Sequence, residues 1–288
     1  MQSLRETSIA QIKSVPGLFI SDRFAARSLS LLKSLNIKYI LSVTRPEDRP
    51  KFDPKDHAES DVHVNSDRFV TRHVDINDDP TEDILLHLKD TCDWIEASLL
   101  STSSDIGRQN RTAGKAGVLV HCTQGISRSG SIVIAYLMRK FSLDYPAALA
   151  LVRESRALVS PNPGFEAQLR IWRSCAYDVY LSHDYFAAGS AALEEKDVYR
   201  SWKSARDAML KADGAEEKLN KARFASMAIM AAKFGKKRAQ DNEEGTNSDY
   251  LGIGKSVAGE KEKAWKNVEK MEEEWTRRLI TGDYSIPD

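Results

Sequence analysis

The 288-residue sequence has little of three things, and each shortage excludes a class of protein. It carries no surplus of either charge, since 42 Lys and Arg stand against 42 Asp and Glu. A polybasic nucleic-acid binder and an acidic tail are therefore set aside for the chain as a whole. Its three cysteines, Cys92, Cys122 and Cys175, are too few for a disulfide framework and too scattered for a four-cysteine zinc site. No apolar run approaches the ~18–20 residues that span a bilayer, and the opening MQSLRETSIAQIKSV lacks the apolar stretch of a secretory signal. The expectation is a soluble intracellular protein with reduced thiols, cytoplasmic or nuclear, whose function rests on a site. KFGKKR is a weak hint of nuclear import.

What is present suffices for one good-sized domain plus an appendage. GLFISD, FAARSLSLLKSLN and IKYILSV read as strand, amphipathic helix and buried strand. Residues 44–68 turn to Pro, Asp, Glu, Lys and His and read as an exposed loop. FVTRHVDI is a further strand, with Asp75 at its end. In TEDILLHLKDTCDWIEASLL, Ile84, Leu85, Leu88, Cys92, Ile95 and Leu99 recur at helical spacing, with Thr81, Glu82 and Asp83 as cap and first-turn acids. Cys92 belongs to the core on that pattern, and so does Cys175, which shares a helix face with Leu169, Trp172 and Ala176. Residues 101–116 read as a second polar spacer loop. Strands alternating with helices make the class α/β.

Beyond Ser182 the texture changes to Ala, Lys and Glu. Two or more helices are expected, with a basic segment from Lys221 to Arg238 that reads as a solvated face. A linker near 241–258 and a final charged helix follow, the latter with Trp265, Val268, Met271 and Trp275 near one stripe. That stripe would dock on the domain or on a protein partner.

The informative segment is GVLVHCTQGISRSGSIVIAYLM, an apolar strand and an apolar helix joined by a short polar turn. Such a turn aims backbone N–H groups and the positive end of the helix dipole into one concavity, which suits a phosphate dianion. The turn opens on Cys122, passes Thr123, Gln124, Gly125, Ile126 and Ser127, and closes on Arg128. A thiol placed there has its pKa lowered, commonly to ~3.5–7.5, because dipole and amides favour the thiolate. The planar fork of Arg128 suits two phosphoryl oxygens as lysine would not. Gly125 lets the backbone curl round the anion, Ser129 can donate to Cys122 as it leaves, and His121 can brace the loop.

HCTQGISRSG resembles the active-site loop of the dual-specificity branch of the cysteine-dependent protein phosphatases. VPGLFISDRFAARSLSLLKSLNIKYILSVT and SPNPGFEAQL are similar to that family's opening and closing segments. The resemblance runs from about Val15 to Tyr180, leaving 1–14 as an N-terminal tail and 181–288 as a charged helical extension. GFEAQLRIWRSCAYDVY looks closest to the branch that carries a carboxy-terminal zinc-binding domain, but no cysteine follows Cys175 here, so nothing is transferred from that domain.

The resemblance implies a protein-tyrosine-phosphatase-like core, a mostly parallel sheet flanked by helices. It also implies a phosphoprotein substrate, a phosphocysteine intermediate and no metal or other cofactor. It assigns Cys122 as nucleophile, Arg128 as phosphate clamp, Ser129 as aid to the leaving thiolate and residues 123–128 as phosphate cradle, with His121 and Asn162 supporting. A general acid is implied upstream. Alignment on the following helix points to Asp78, with Asp79 as the near rival and Asp75 behind it. The loop interior has no lysine for the extra phosphates of an inositol headgroup. Phosphotyrosine, phosphoserine or phosphothreonine is therefore the expected target, and neither membrane nor nucleic acid is expected as a partner. A scaffold that binds phosphoproteins with little turnover is the competing reading.

Overall fold

The computed structural model describes residues 8–52, 57 and 58, 69–104, 116–181, 194–212 and 220. Its described strands form one six-stranded sheet: β1 (Ile9–Gln11), β2 (Leu18–Ser21), β3 (Ile37–Val43), β4 (His57–Ala58), β5 (Phe69–Val74) and β6 (Gly117–His121). Their spatial order is β1-β2-β6-β3-β5-β4. β1 runs antiparallel to β2, and every other pairing is parallel. The described helices are α1 (Arg23–Ala26), α2 (Leu29–Ser34), α3 (Leu85–Ser104), α4 (Arg128–Phe141), α5 (Tyr145–Arg153), α6 (Pro163–Ser174) and α7 (Asp197–Lys211).

Strand periodicity sorts the apolar side chains into two layers. Leu18, Ile20, Val118 and Val120 join the buried faces of α3 to α6, while Phe19, Ile40, Phe69 and Leu119 pack with Ala26 and Leu32 of α1 and α2. β6 is buried along its whole length between β2 and β3. A parallel strand covered on both faces must be apolar throughout, which is why GVLVH reads so plainly. β6 ends at His121, which sets Cys122 at the carboxyl edge of the sheet.

Several boundaries differ from expectation. Residues 9–11 belong to the sheet, not to a tail, and Ile12 is fully buried; a three-residue strand carries too little periodicity to be seen before its partner is known. The helix expected over FAARSLSLLKSLN is two helices, because the Asp22 side chain caps α1 and Ser28 adopts an extended conformation that starts α2 afresh. α3 starts at Leu85, not at Thr81. Asp79 draws Thr81 into a turn, and the cap comes from α6, where Gln168 Oε1 accepts from the Ile84 and Leu85 amides at 2.9 and 3.3 Å. Asp75 lies exposed just past β5.

Within the expected loop 44–68, Thr44 is buried, Pro46–Asp48 form a 3₁₀ turn and His57–Ala58 pair with β5. α3 runs on to Ser104, into the expected spacer 101–116. Cys92 and Cys175 are buried as expected, and burial pushes the Cys92 thiol up to about 12. Ala176, by contrast, is exposed beyond the end of α6.

Packing against the core also occurs past residue 180. Tyr199 of α7 is fully buried in the main core cluster. The readings for the basic segment 221–238, the linker 241–258 and the Trp265 stripe lie outside the described residues, as do those for residues 1–7, 53–56, 59–68 and 105–115. Among the described residues, no helix is long and apolar enough to cross a membrane.

Candidate active site

Cys122 follows β6 directly and is 1% exposed. Its Sγ accepts from the Gly125 amide at 3.1 Å and from Ser129 Oγ at 3.3 Å. The turn is tight because Gly125 has φ +69°, and a Cβ there would lie 2.5 Å from Ser21 O. Two constraints, left-handed backbone and contact with the β2 end, thus demand glycine at one position. α4 begins at Arg128, and its first intrahelical bond in the turn runs from Ser131 N to Ser127 O. Amides at the head of such a helix lack intrahelical acceptors and are available to an anion.

The Arg128 guanidinium is buried and held from two sides. Nη1 donates to Ile76 O at 3.3 Å and Nη2 to Thr123 Oγ1 at 2.8 Å. Nε has no hydrogen-bond partner among the described residues and stands 3.7 Å from Asp78 Oδ2. A buried charged N–H without a hydrogen-bond partner is costly, and the nearby Asp78 carboxylate offsets that cost through charge alone. Thr123 in turn donates to Asp48 Oδ2 at 3.4 Å, and Asp48 also pairs with Arg23 at 3.4 Å.

Beneath the turn, His121 Nε2 lies 2.7 Å from Ser42 Oγ and Nδ1 lies 3.4 Å from Cys122 O. A carbonyl only accepts, so Nδ1 carries the proton and Nε2 accepts from the Ser42 hydroxyl. Burial pushes the imidazole down to about 4, which keeps it neutral. Arg156 braces the turn from its other side, donating from Nε to Gly125 O at 2.8 Å and from Nη2 to Gln124 O at 3.1 Å. Burial lowers its pKa, and Asp22 opposes that. Ile126 O accepts from Ser160 N at 3.2 Å.

Asp78 is the aspartate that reaches the turn. Its Oδ1 accepts from Ser127 Oγ at 2.6 Å and from Asn162 Nδ2 at 2.9 Å. Asn162 also donates its backbone N–H to Ser127 Oγ at 3.0 Å and caps α6 by accepting from Phe165 N at 2.9 Å. One asparagine therefore ties three elements together. Asp79 points elsewhere, with Oδ1 on the Thr81 amide and hydroxyl at 2.9 and 2.7 Å. The close pass of α6 under this loop requires Gly164, since a Cβ there would overlap Pro80 O.

The structure thus collects Cys122, Thr123, Gly125, Ser127, Arg128, Ser129, Asp78 and Asn162 around one pocket. Gln124 is at its exposed rim and His121 lies behind it. Sequence reasoning missed Arg156, Asp48 and the capping role of Gln168. Arg156 is one of two arginines within VRESRALVSPNPG, and nothing in the sequence marks it out until its burial is known. Chemically, the arrangement brings a sulfur, a backbone amide, a guanidinium and a carboxyl group close together.

The family model described as dual specificity phosphatase, catalytic domain, matches residues 18–175. The chain therefore belongs to the dual specificity phosphatase family. It is similar to the dual specificity protein phosphatase MPK-4 of Drosophila melanogaster, 33% identical over 195 residues, covering 65% of this chain and 44% of that protein. It is also similar to the dual specificity protein phosphatase 1B of Arabidopsis thaliana, 32% identical over 154 residues, covering 54% of this chain and 76% of that protein. The chain thus spans less than half the length of the Drosophila relative. Among solved structures, the Yvh1 phosphatase domain from Chaetomium thermophilum matches with 29% identity and a TM-score of 0.47, over 59% of this chain and 99% of that one.

Proposed function

We propose that this chain is a protein phosphatase that hydrolyses phosphotyrosine and phosphoserine or phosphothreonine through a phosphocysteine intermediate. The observation that carries the reading is a tight strand-to-helix turn that opens on Cys122, whose Sγ accepts two hydrogen bonds, and closes on Arg128, which stands 3.7 Å from the Asp78 carboxylate. In the first step Sγ attacks phosphorus, the phosphorus–oxygen bond breaks, and Asp78 gives its proton to the leaving oxygen. In the second, water attacks the phosphocysteine, Asp78 takes its proton, and the sulfur departs as thiolate toward the Ser129 hydroxyl. Arg128 Nε and Nη2 hold the equatorial oxygens, where charge redistributes in the transition state.

The choice of Asp78 over Asp79 follows the hydrogen bonds. The Asp78 carboxyl faces the turn through Ser127 and Arg128, whereas that of Asp79 is spent on Thr81. The lysine-free loop interior supports a phosphoprotein over a polyphosphorylated headgroup.

The test is hydrolysis of para-nitrophenyl phosphate and of phosphotyrosine and phosphothreonine peptides, with Cys122→Ser as control. Turnover by the unaltered chain that falls on the order of 10⁴-fold in Cys122→Ser supports the reading. Binding of the phosphopeptides with no turnover above that control would instead mark a phosphoprotein-binding scaffold.

A further inference from the structure

The family match ends at residue 175, yet α7, at 197–211, reaches back to the loop that bears Asp78. The link is Asp83, between that loop and α3. Its Oδ2 accepts from Tyr199 Oη at 2.8 Å and pairs with Arg206 Nη1 at 3.2 Å. Burial pushes the Asp83 carboxyl up, and the Tyr199 hydroxyl and the Arg206 charge pull it back. A buried carboxylate is tolerated only with such partners. α7 itself is firmly seated: Tyr199 is fully buried and stacks on Trp202, Arg206 lies 5.4 Å over the Trp202 ring, and Lys196 Nζ donates to Cys175 O at 2.7 Å.

We infer that α7 is a clamp on the acid loop, and that Tyr199 and Arg206 are positioning residues that set Asp78 through Asp83. The inference rests on the phosphatase reading above. The loop is short and is pinned at both ends. Asp78 is held on the turn by Ser127 and Asn162, while beyond it Gln168 Nε2 donates to Glu82 O at 2.8 Å and Asp83 is held by α7. Along the segment, Glu82 N donates to Asp79 O at 3.1 Å and Asn77 Nδ2 to Glu82 Oε1 at 2.8 Å, so hydrogen bonds tie its two ends to each other. Releasing Asp83 lets that segment shift, and an ångström of misplacement is enough to idle a general acid.

Leaving-group dependence separates this from a merely structural contact. Phenolate needs a proton as it leaves and para-nitrophenolate hardly does, so the full-length chain is assayed on phenyl phosphate and para-nitrophenyl phosphate. For Arg206→Ala, kcat on phenyl phosphate falls about tenfold, kcat on para-nitrophenyl phosphate by no more than about twofold, and KM holds. Arg206→Lys recovers much of the loss. In an Asp78→Asn background, Arg206→Ala costs nothing further, because the two act on one step. Amide hydrogen exchange in Arg206→Ala rises over 75–86 and not over 122–129. Tyr199→Phe, which removes a single hydroxyl, carries the same comparison should Arg206→Ala fail to fold.

Equal losses on the two esters, or full additivity with Asp78→Asn, overturn the inference. An unaltered chain that hydrolyses neither ester overturns the phosphatase reading and this inference with it. Turnover by the unaltered chain with even losses in the variants overturns the clamp alone.

Discussion

The turn from Cys122 to Arg128 and the loop from Asp75 to Ile84 face each other across one pocket, but they are built differently. The turn is local: a buried strand delivers Cys122, Gly125 curls the backbone, and α4 starts on Arg128. The loop is held by elements distant in the chain, through Ser127, Asn162, Gln168, Tyr199 and Arg206. The turn comes largely from one stretch of chain, whereas Asp78 must be brought to it by packing.

Substitutions sharpen that contrast. Arg128→Lys keeps the charge but loses the fork, and kcat on para-nitrophenyl phosphate is expected to fall about 10²–10³-fold with the fold intact by circular dichroism. Loss of less than about tenfold would show that a point charge suffices. Asp78→Asn is expected to lower turnover of phenyl phosphate about 10²-fold. Asp79→Asn should act on stability instead, by about 1 kcal/mol for the weakened Thr81 bonds, read from denaturant unfolding. The reverse pattern would move the acid to Asp79.

The base of the turn adds a dependence on pH. The His121 pKa is depressed to about 4 in the folded chain, against about 6.5 unfolded. As pH falls through 6.5 the unfolded chain binds a proton that the folded chain refuses, so unfolding becomes easier. Stability is fully present above about pH 7 and falls by about 3 kcal/mol toward pH 4. Comparing urea unfolding at pH 7 and pH 4.5 with a His121→Gln variant isolates the effect. An unchanged pH dependence in the variant would free His121 of that role.

Legibility followed the same division. IKYILSV reads to the residue as β3, and Ile84 with Leu85, Leu88, Cys92, Ile95 and Leu99 of α3 all lie in the core, because burial of one face imposes periods that a pattern displays. The cap of α3 was misread, since acids at 81–83 look like a helix start, whereas Gln168 from α6 supplies it. β1 and the seat of α7 were missed because a short strand and a polar helix show their apolar contacts only when folded.

The amino-acid order alone determined the α/β class, the strand-turn-helix and the residues of its anion pocket. All of these are short-range consequences of burial and helix polarity. The tertiary structure alone decided that Asp78 rather than Asp79 bonds the turn, that Arg156 braces it and that α7 reaches Asp83. Each of those is a hydrogen bond or ion pair between residues far apart in the chain, and such a bond leaves no periodicity for a sequence to show.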